Sequence, residues 1–170
     1  SGSGTPLHIA AMNDGAKVAA ALLARGAAVE ARDDYQRTPL LLCARERGRV
    51  DTARVLIEAG ADINAADKFG DTALSLAAWR GKADVIDLLL EKGAELPEPG
   101  EKWRGLLSEA ASNGLTTLFR RLTAGGQDLK AVDPSGGRLL HSSATGGSAE
   151  IVGLLLEKGF EAGKPDRFGW

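Results

Sequence analysis

The residue types that could carry chemistry are few in this chain and lie far apart in the sequence. The two histidines, His8 and His141, stand near opposite ends, and the only cysteine is Cys43. A catalytic or metal-binding histidine needs partner ligands or a reacting group beside it, and the sequence supplies none near either histidine. Cys43 has no histidine close to it that could activate a nucleophile. The pattern therefore predicts no metal site, no cofactor and no enzymatic activity.

Glycine-rich and acidic stretches do not indicate a ligand site either. The stretch GFEAGKP at 159–165 comes nearest to a phosphate-binding loop, but its glycine spacing is one residue short. Pro165 also stands where such a loop needs a Ser or Thr to bind magnesium. The adjacent acids Asp33 and Asp34 fit a solvated pair in a turn, and no calcium-loop spacing occurs. We interpret these stretches as turns.

Arginines are concentrated in one part of the chain. Residues 32–54 contain six arginines and four acidic residues, whereas the whole chain has a formal charge of −2. The acidic overall balance, with a pI near 5.7, argues against a protein that binds nucleic acid through bulk charge. The local excess of arginine fits either a solvated face or a recognition patch for an acidic partner.

Length and composition fit one soluble domain or one repeat array. The chain has 170 residues, of which 44% are hydrophobic and 26% are charged. No apolar run approaches the length of a membrane span, so no membrane insertion is expected. One cysteine allows no intrachain disulfide, which fits the cytoplasm or another reducing intracellular compartment.

The sequence repeats itself with a period of 33 or 34 residues. The similar segments are TPLHIAA from residue 5, TPLLLCA from 38, TALSLAA from 72, GLLSEAA from 105 and RLLHSSA from 138. Each unit ends at a glycine: Gly26, Gly60, Gly93, Gly126 and Gly159. A threonine before an Ala-rich stretch predicts a helix N-cap, and a proline after it fits the first helical position. A stretch rich in Leu, Ile and Val then predicts a second helix in each unit.

This pattern resembles the ankyrin repeat, whose signature is Thr-Pro-Leu-His-x-Ala. TPLHIAA matches it fully, and ALLARGAAVEARD and VLIEAGADINAAD match the second half of a unit. The resemblance implies an all-α solenoid of antiparallel helix pairs joined by β-turn loops, with a concave face. It predicts a single array over residues 1–170, with the following approximate repeats: 1–32, 33–66, 67–99, 100–132, 133–165, and a truncated sixth at 166–170.

Three side chains already considered take structural roles in this arrangement. His8 and His141 occupy the signature position, where we expect a hydrogen bond near the turn of the next unit. Cys43 lies on the small-residue side of a first helix, where it should be buried as a small apolar side chain.

The fourth unit departs most from the pattern, and the second and the two ends also differ. Gly100, Trp103 and Gly105 replace the turn aspartate, the turn glycine and the N-cap threonine of the fourth unit. We therefore expect residues 97–126 to open first. We also expect Gly105→Thr to restore the turn and stabilise the array if the cap geometry is intact. The second unit carries one extra residue within 45–47.

Both ends of the array look unfinished in the sequence. The first unit has no preceding turn, and the last carries apolar residues in its second helix. These features predict a fragment of a longer array. They also predict head-to-tail self-association, or cover of the last unit by Phe168 and Trp170.

The ankyrin resemblance implies a non-catalytic protein–protein interaction module that binds a protein or peptide through its concave face and turn tips. The alternative is a regulatory or targeting arm of a larger enzyme or channel whose active part lies outside these residues. Positions that vary between units hold most of the aromatic residues, and Trp, Tyr and Arg dominate interface energies. We expect one aromatic–basic patch that binds an acidic partner with apolar anchors: Tyr35, Arg37, Arg47, Phe69, Trp79 and Arg80.

Overall fold

A computed structural model describes residues 4–132 and 138–163 of the chain, and this part is helical. The helices are α1 Pro6–Met12, α2 Ala16–Leu23, α3 Pro39–Arg45, α4 Val50–Glu58, α5 Ala73–Trp79, α6 Ala83–Glu91, α7 Glu101–Ser112, α8 Thr116–Thr123, α9 Leu129–Val132, α10 Arg138–Thr145 and α11 Ala149–Glu157. Over these two ranges no β-strand forms, and one isolated antiparallel bridge joins Ala66 to Thr72. Phe168, Trp170 and the sixth turn lie outside the described residues.

The first helices of the first three repeats begin where the sequence predicts N-caps, at Thr5, Thr38 and Thr72. The hydroxyl of Thr38 accepts a hydrogen bond from the Leu41 amide at 3.3 Å, and that of Thr72 accepts one from the Ser75 amide at 3.3 Å. Pro39 follows Thr38 at the first helical position, where a missing N–H costs nothing. These caps satisfy backbone donors that a short helix would otherwise leave unpaired.

The chain divides into two compact units, Ser1–Glu95 and Leu96–Trp170. In the first unit, α1, α3 and α5 pack side by side, and α2, α4 and α6 form a second row against them. In the second unit, α7 packs against α8 and α10, and α10 packs against α11. Each compact unit therefore contains helix pairs of the kind that the 33- or 34-residue period predicts.

Small residues on the first helices allow the rows to pack closely. The signature alanines Ala11, Ala44, Ala78 and Ala111 are fully buried. Leucines of the second helices, among them Leu56, Leu89 and Leu122, fill the space beside them. Burial of this apolar surface is the main term that stabilises such helices, since each is too short to be stable alone.

The extra residue of the second repeat lies in a loop. Helix α3 has seven residues, as do α1 and α5, and it ends at Arg45. The Arg47 amide donates a hydrogen bond to the Met12 carbonyl at 3.1 Å, which joins the longer loop to the preceding repeat. A Cβ on Gly48 would lie 2.6 Å from the Ala11 carbonyl oxygen, so this close approach requires glycine.

The fourth repeat replaces its turn with helix. Helix α7 has 12 residues and begins at Glu101, so residues 101–104 are helical where the second and third repeats form a β-turn. Trp103 is buried, and burial of this large side chain favours the helical turn. Gly105 lies inside α7, and Gly100 occupies the N-cap position. The cap geometry on which the expected stabilisation by Gly105→Thr depends is therefore not present at position 105.

Candidate functional site

The turn at residues 33–37 is organised around a buried carboxylate. Oδ1 of Asp33 accepts hydrogen bonds from the amides of Tyr35 at 2.8 Å and Arg37 at 2.9 Å. Its Oδ2 pairs with Nη2 of Arg37 at 2.6 Å. Asp33 is 5% exposed, so the expectation of a solvated acidic pair is wrong for this residue. The hydrogen bonds fix the loop and leave the Tyr35 ring 39% exposed.

The electrostatics of this turn follow from the same contacts. Burial by itself would raise the pKa of Asp33. The Arg37 guanidinium and the two backbone amides outweigh that effect and hold the pKa below its ordinary value. Much of the hydrogen-bonding capacity of the Arg37 guanidinium is used inside the turn, and this side chain is 14% exposed.

The turn of the third repeat has the same arrangement as the turn of the second repeat. Oδ1 of Asp67 accepts hydrogen bonds from the amides of Phe69 at 2.8 Å and Asp71 at 3.0 Å. The two turns touch, because the Lys68 amide donates to the Tyr35 carbonyl at 3.1 Å. Phe69 is 66% exposed, the highest fraction among the large apolar side chains that are exposed. The turns therefore present two aromatic rings side by side.

A lysine that was not among the six predicted residues joins these rings. Nζ of Lys68 lies 4.0 Å from the centroid of the Tyr35 ring and 5.0 Å from that of Phe69. The Arg37 guanidinium lies 4.6 Å from the Tyr35 centroid. Both distances to Tyr35 are within the range of a cation–π interaction. We call Tyr35, Arg37, Lys68 and Phe69 the turn-tip cluster.

A second group lies where the first helices end. Trp79 is the last residue of α5 and is 53% exposed. The Arg80 guanidinium lies 4.4 Å from the centroid of the Trp79 ring. Nε of Arg80 donates to the Arg45 carbonyl at 2.7 Å, which fixes the guanidinium over the ring. We call Arg45, Glu46, Arg47, Trp79 and Arg80 the helix-end cluster.

The helix-end cluster carries excess positive charge. Glu46 contacts two of its three arginines, with Oε1 3.4 Å from Nε of Arg45 and Oε2 3.9 Å from Nη2 of Arg80. Arg47 is exposed, and no described carboxylate forms an ion pair with it. Sequence reasoning missed Arg45 and Glu46 as individual members, although they belong to the 45–47 segment that contains the extra residue of the second repeat.

The six predicted residues form two clusters. Tyr35, Arg37 and Phe69 precede helices α3 and α5, whereas Arg47, Trp79 and Arg80 lie at or just beyond the ends of these helices. A helix of seven residues is about 10 Å long, so roughly that distance separates the two clusters.

Histidine and cysteine are the residue types in this chain that are best suited to catalysis or metal binding, and in the first unit both have structural roles. His8 is fully buried; its Nδ1 accepts from the Thr5 amide at 3.1 Å, and its Nε2 lies 2.9 Å from the Arg37 carbonyl oxygen. The predicted hydrogen bond to the next turn is therefore observed. Cys43 is fully buried, and that burial raises the pKa of its thiol to about 12. His141 occupies the signature position on α10 and is half-buried.

The described ranges contain neither a metal-binding group nor a membrane-spanning helix. Over residues 4–132 and 138–163, no group of three or more His, Cys, Asp or Glu side chains could hold a metal ion. In the same ranges, every helix is too short or too polar to cross a lipid bilayer.

Comparison with known proteins identifies one repeat type. A sequence profile described as "Ankyrin repeats (3 copies)" matches residues 7–99, which is more than half of the chain. "Ankyrin repeat and SOCS box protein 6" from Homo sapiens is 41% identical over 71 residues, a match that covers 41% of this chain and 17% of that protein.

Two further relatives match segments of similar length. "Inversin" from Gallus gallus is 39% identical over 71 residues, which is 41% of this chain and 6% of that protein. A "Putative ankyrin repeat-containing protein" from Treponema pallidum is 40% identical over 74 residues, which is 43% of this chain and 25% of that protein. The matched part of the chain thus spans a quarter or less of each of these three relatives.

Proposed function

The chain belongs to the ankyrin-repeat family, and we propose on that premise that it binds an acidic, partly apolar segment of a partner protein through the turn-tip and helix-end clusters. Ankyrin repeats are in general non-catalytic protein–protein interaction modules. As part of a longer protein, the same surface would serve as a regulatory or targeting arm. The single buried thiol supports a reducing compartment, such as the cytoplasm, as the place of binding.

The exposure of Trp79 is the observation that carries this proposal. A tryptophan at 53% exposure leaves a large apolar area in contact with water, which costs free energy unless a partner covers it. One face of the ring is covered by the Arg80 guanidinium, which is held in place by the Arg45 carbonyl. The ring is therefore fixed before binding, which lowers the entropy that a partner must overcome.

The charges around the two clusters define the chemistry of the partner. Arg47 has no carboxylate partner among the described residues, and Lys68 lies over aromatic rings. A carboxylate of the partner would reach Arg47 while an apolar side chain packs against the free face of Trp79. An extended peptide advances about 3.3 Å per residue, so anchors for the two clusters would lie about three residues apart.

The proposal is tested with peptides selected for binding to the intact chain from a display library. In the best binder, Trp79→Ala should lower the affinity about thirtyfold, which corresponds to about 2 kcal/mol. Arg80→Ala should lower the affinity by about tenfold. The Trp79 ring loses its fixed orientation, and the acidic partner loses a positive charge with which it can pair. The matched control is Arg54→Ala, an exposed arginine on α4 outside both clusters, which should leave the affinity within about twofold.

Two outcomes would contradict the proposal. If Trp79→Ala and Arg80→Ala bind the selected peptides as tightly as the parent chain, the clusters are not the binding surface. If single-stranded or duplex nucleic acid binds with a steep dependence on salt and peptides do not bind, the partner class is wrong.

A further inference from the structure

The first helices of four repeats end with the same backbone hydrogen bond. In each of them, a carbonyl near the end of the helix accepts a hydrogen bond from the amide five residues later. These pairs are Ala10 with Gly15, Ala77 with Lys82, Ala110 with Leu115 and Ser143 with Ser148, at 2.8–3.3 Å. The residue just before each donor has a positive φ of 56–68°. Such a bond satisfies a carbonyl that the end of a helix would otherwise leave unpaired.

The extra residue of the second repeat removes this bond. The carbonyl in the equivalent position is that of Cys43, and the residue five positions later is Gly48, whose φ lies outside the left-handed region. The Arg47 amide, which would continue the helix by bonding to Cys43, donates to the Met12 carbonyl of the first repeat. Among the described residues, the Cys43 carbonyl therefore lacks the backbone donor that its counterparts have.

A lysine of the third repeat takes the place of the missing donor. Nζ of Lys82 donates hydrogen bonds to the Cys43 carbonyl and to the Gly48 carbonyl, each at 2.8 Å. Lys82 is half-buried, and hydrogen bonds from an ammonium group are stronger than those between neutral groups. The segment 45–47 is therefore held from two sides, by the Met12 carbonyl of the first repeat and by Lys82 of the third.

This segment carries two of the groups on which the helix-end cluster depends. Arg47 is the exposed arginine of the cluster without an ion pair to a described carboxylate. The Arg45 carbonyl accepts the hydrogen bond from Nε of Arg80 that fixes the guanidinium over the Trp79 ring. A shift of the segment would move Arg47 and would displace the acceptor that orients Arg80.

We infer that Lys82 is a positioning residue for partner binding. Its ammonium group replaces the backbone hydrogen bond that the extra residue removes, and it thereby holds Arg47 and the acceptor of Arg80 in place. The inference rests on the proposed function of the helix-end cluster and adds to that surface a residue that lies outside the cluster. It also accounts for the longer loop, because the lysine offsets the hydrogen bond that the loop loses.

Affinity measurements with the peptides selected by display test this role. Lys82→Met keeps a long side chain but donates no hydrogen bond, so the affinity should fall by about tenfold as the segment shifts. Lys82→Arg can donate to both carbonyls and should bind within about threefold of the parent. The matched control is Lys17→Met, which changes an exposed lysine on α2 outside both clusters and should leave the affinity within about twofold.

A second measurement needs no partner. In native-state hydrogen exchange, the protection of the Arg47 amide reports whether the segment stays bonded to the Met12 carbonyl. Lys82→Met should lower the protection of this amide by at least about tenfold, whereas the amides of α2 should change by less than about threefold. The effect of the lysine is then local to the loop.

A double-mutant cycle separates positioning from a general loss of stability. In the Arg47→Ala background, Lys82→Met should lower the affinity by only about threefold, because one of the groups that the lysine positions is already absent. A general loss of stability would lower the affinity by the same factor in both backgrounds.

The results distinguish a failure of this inference from a failure of the proposed function. If Trp79→Ala lowers the affinity and Lys82→Met does not, only the inference is overturned. Equal losses in both backgrounds, or unchanged protection of the Arg47 amide, would also overturn it. If Trp79→Ala leaves the affinity unchanged, the proposed function fails and the positioning role fails with it. A Lys82→Met chain that is unfolded by circular dichroism would overturn the inference as well, since the lysine would then act on the whole fold.

Discussion

The second and fourth repeats begin in different ways, and residues at two positions account for the difference. In the second repeat, Asp33 binds two backbone amides and holds a β-turn whose tyrosine faces outward. In the fourth repeat the corresponding residue is Gly100, which offers no carboxylate, and the chain enters helix α7 directly. Trp103 is then buried. A buried carboxylate thus accompanies a turn that exposes an aromatic ring, whereas a glycine at that position accompanies a helical turn that buries one.

The first helices of the two compact units also differ in surface chemistry. In the first unit the exposed positions include Ile9, Trp79 and Arg80. In the second unit the position equivalent to Ile9 holds Glu109, whose pKa is raised by partial burial. The position equivalent to Trp79 holds Ser112. The aromatic and basic character that we propose for partner binding therefore belongs to the first unit, where the carboxylate-centred turns also occur.

Removal of the turn carboxylate should have the largest effect on stability. Asp33→Ala leaves the Arg37 guanidinium and two amides without their acceptor, and should lower the free energy of unfolding by about 3 kcal/mol. Chemical denaturation monitored by circular dichroism measures this change. Gly100→Asp, the reverse change in the fourth repeat, should shift stability by only a few tenths of a kcal/mol, since it adds a cap to an existing helix. Equal effects of the two substitutions would remove the distinction between the turns.

The dependence on pH checks the cause of that effect. The folded-state pKa of Asp33 lies below its ordinary value, so its stabilising contribution is present above the ordinary pKa. That contribution is lost as the pH falls through the folded-state value. The stability difference between the parent and Asp33→Ala should therefore be largest near neutral pH and shrink in acid. A difference that stays constant down to pH values of about 2 would assign the effect to packing.

The fourth repeat should open before the second and third. Neither α7 nor α8 has a side-chain N-cap, whereas Thr38 and Thr72 cap α3 and α5. Loss of a cap costs about 1 kcal/mol, so amides in residues 97–126 should have opening free energies lower by at least about that amount. Native-state hydrogen exchange measures these values. Protection in this segment equal to that of residues 38–58 would refute the prediction.

The sequence predicts the helices well and the turns less well. Thr38 followed by Pro39 carries the signal for a helix start within two adjacent residues, and the structure confirms it. The turn at Asp33 depends on a carboxylate that is enclosed by the amides of Tyr35 and Arg37 and by the Arg37 guanidinium. These contacts are not evident from sequence alone, which suggests a solvated acid. Trp103 was assigned to a turn by register, but burial of its large side chain decides in favour of helix.

The sequence predicts which types of residue form the candidate site, but it predicts their arrangement in space only in part. The variable positions indicated Trp79 and Arg80, and both lie on the surface in contact with each other. Sequence did not reveal that α3 and α5 separate the six residues into two clusters. It also missed Lys68, because its position between two aromatic rings depends on the contact of consecutive turns.

Removal of the glycine inside α7 should stabilise the second unit modestly. Gly105 lies in the helix interior with open space around its Cβ position, so Gly105→Ala should raise the free energy of unfolding by about 0.5–1 kcal/mol. Urea denaturation measures this change. If Gly105→Thr stabilises more than Gly105→Ala, position 105 acts as a cap after all, and the helical start at Glu101 is contradicted.

A further small effect is expected at Gln36, the residue that follows Tyr35. Gln36 has φ of 59°, a left-handed conformation that the third repeat gives to Gly70 with φ of 78°. Gln36→Gly should therefore stabilise the chain by about 0.5 kcal/mol, as relief of the steric cost is partly offset by unfolded-state entropy. Gly70→Gln should destabilise it by a similar amount in the same thermal denaturation assay, and a gain in stability from that change would contradict the argument.

The longer loop that holds Arg47 limits how repeats of this protein can be exchanged. Because the extra residue falls between α3 and α4, first helices and second helices follow different spacings along the sequence. A chimaera joined inside this loop would change the length of the link between the two helices of the joined pair, at the point where Gly48 closely approaches the Ala11 carbonyl oxygen. Junctions placed in the β-turns keep both helices of a pair in register. Repeat shuffling should therefore tolerate crossovers at Asp33 or Asp67, and fail at Gly48.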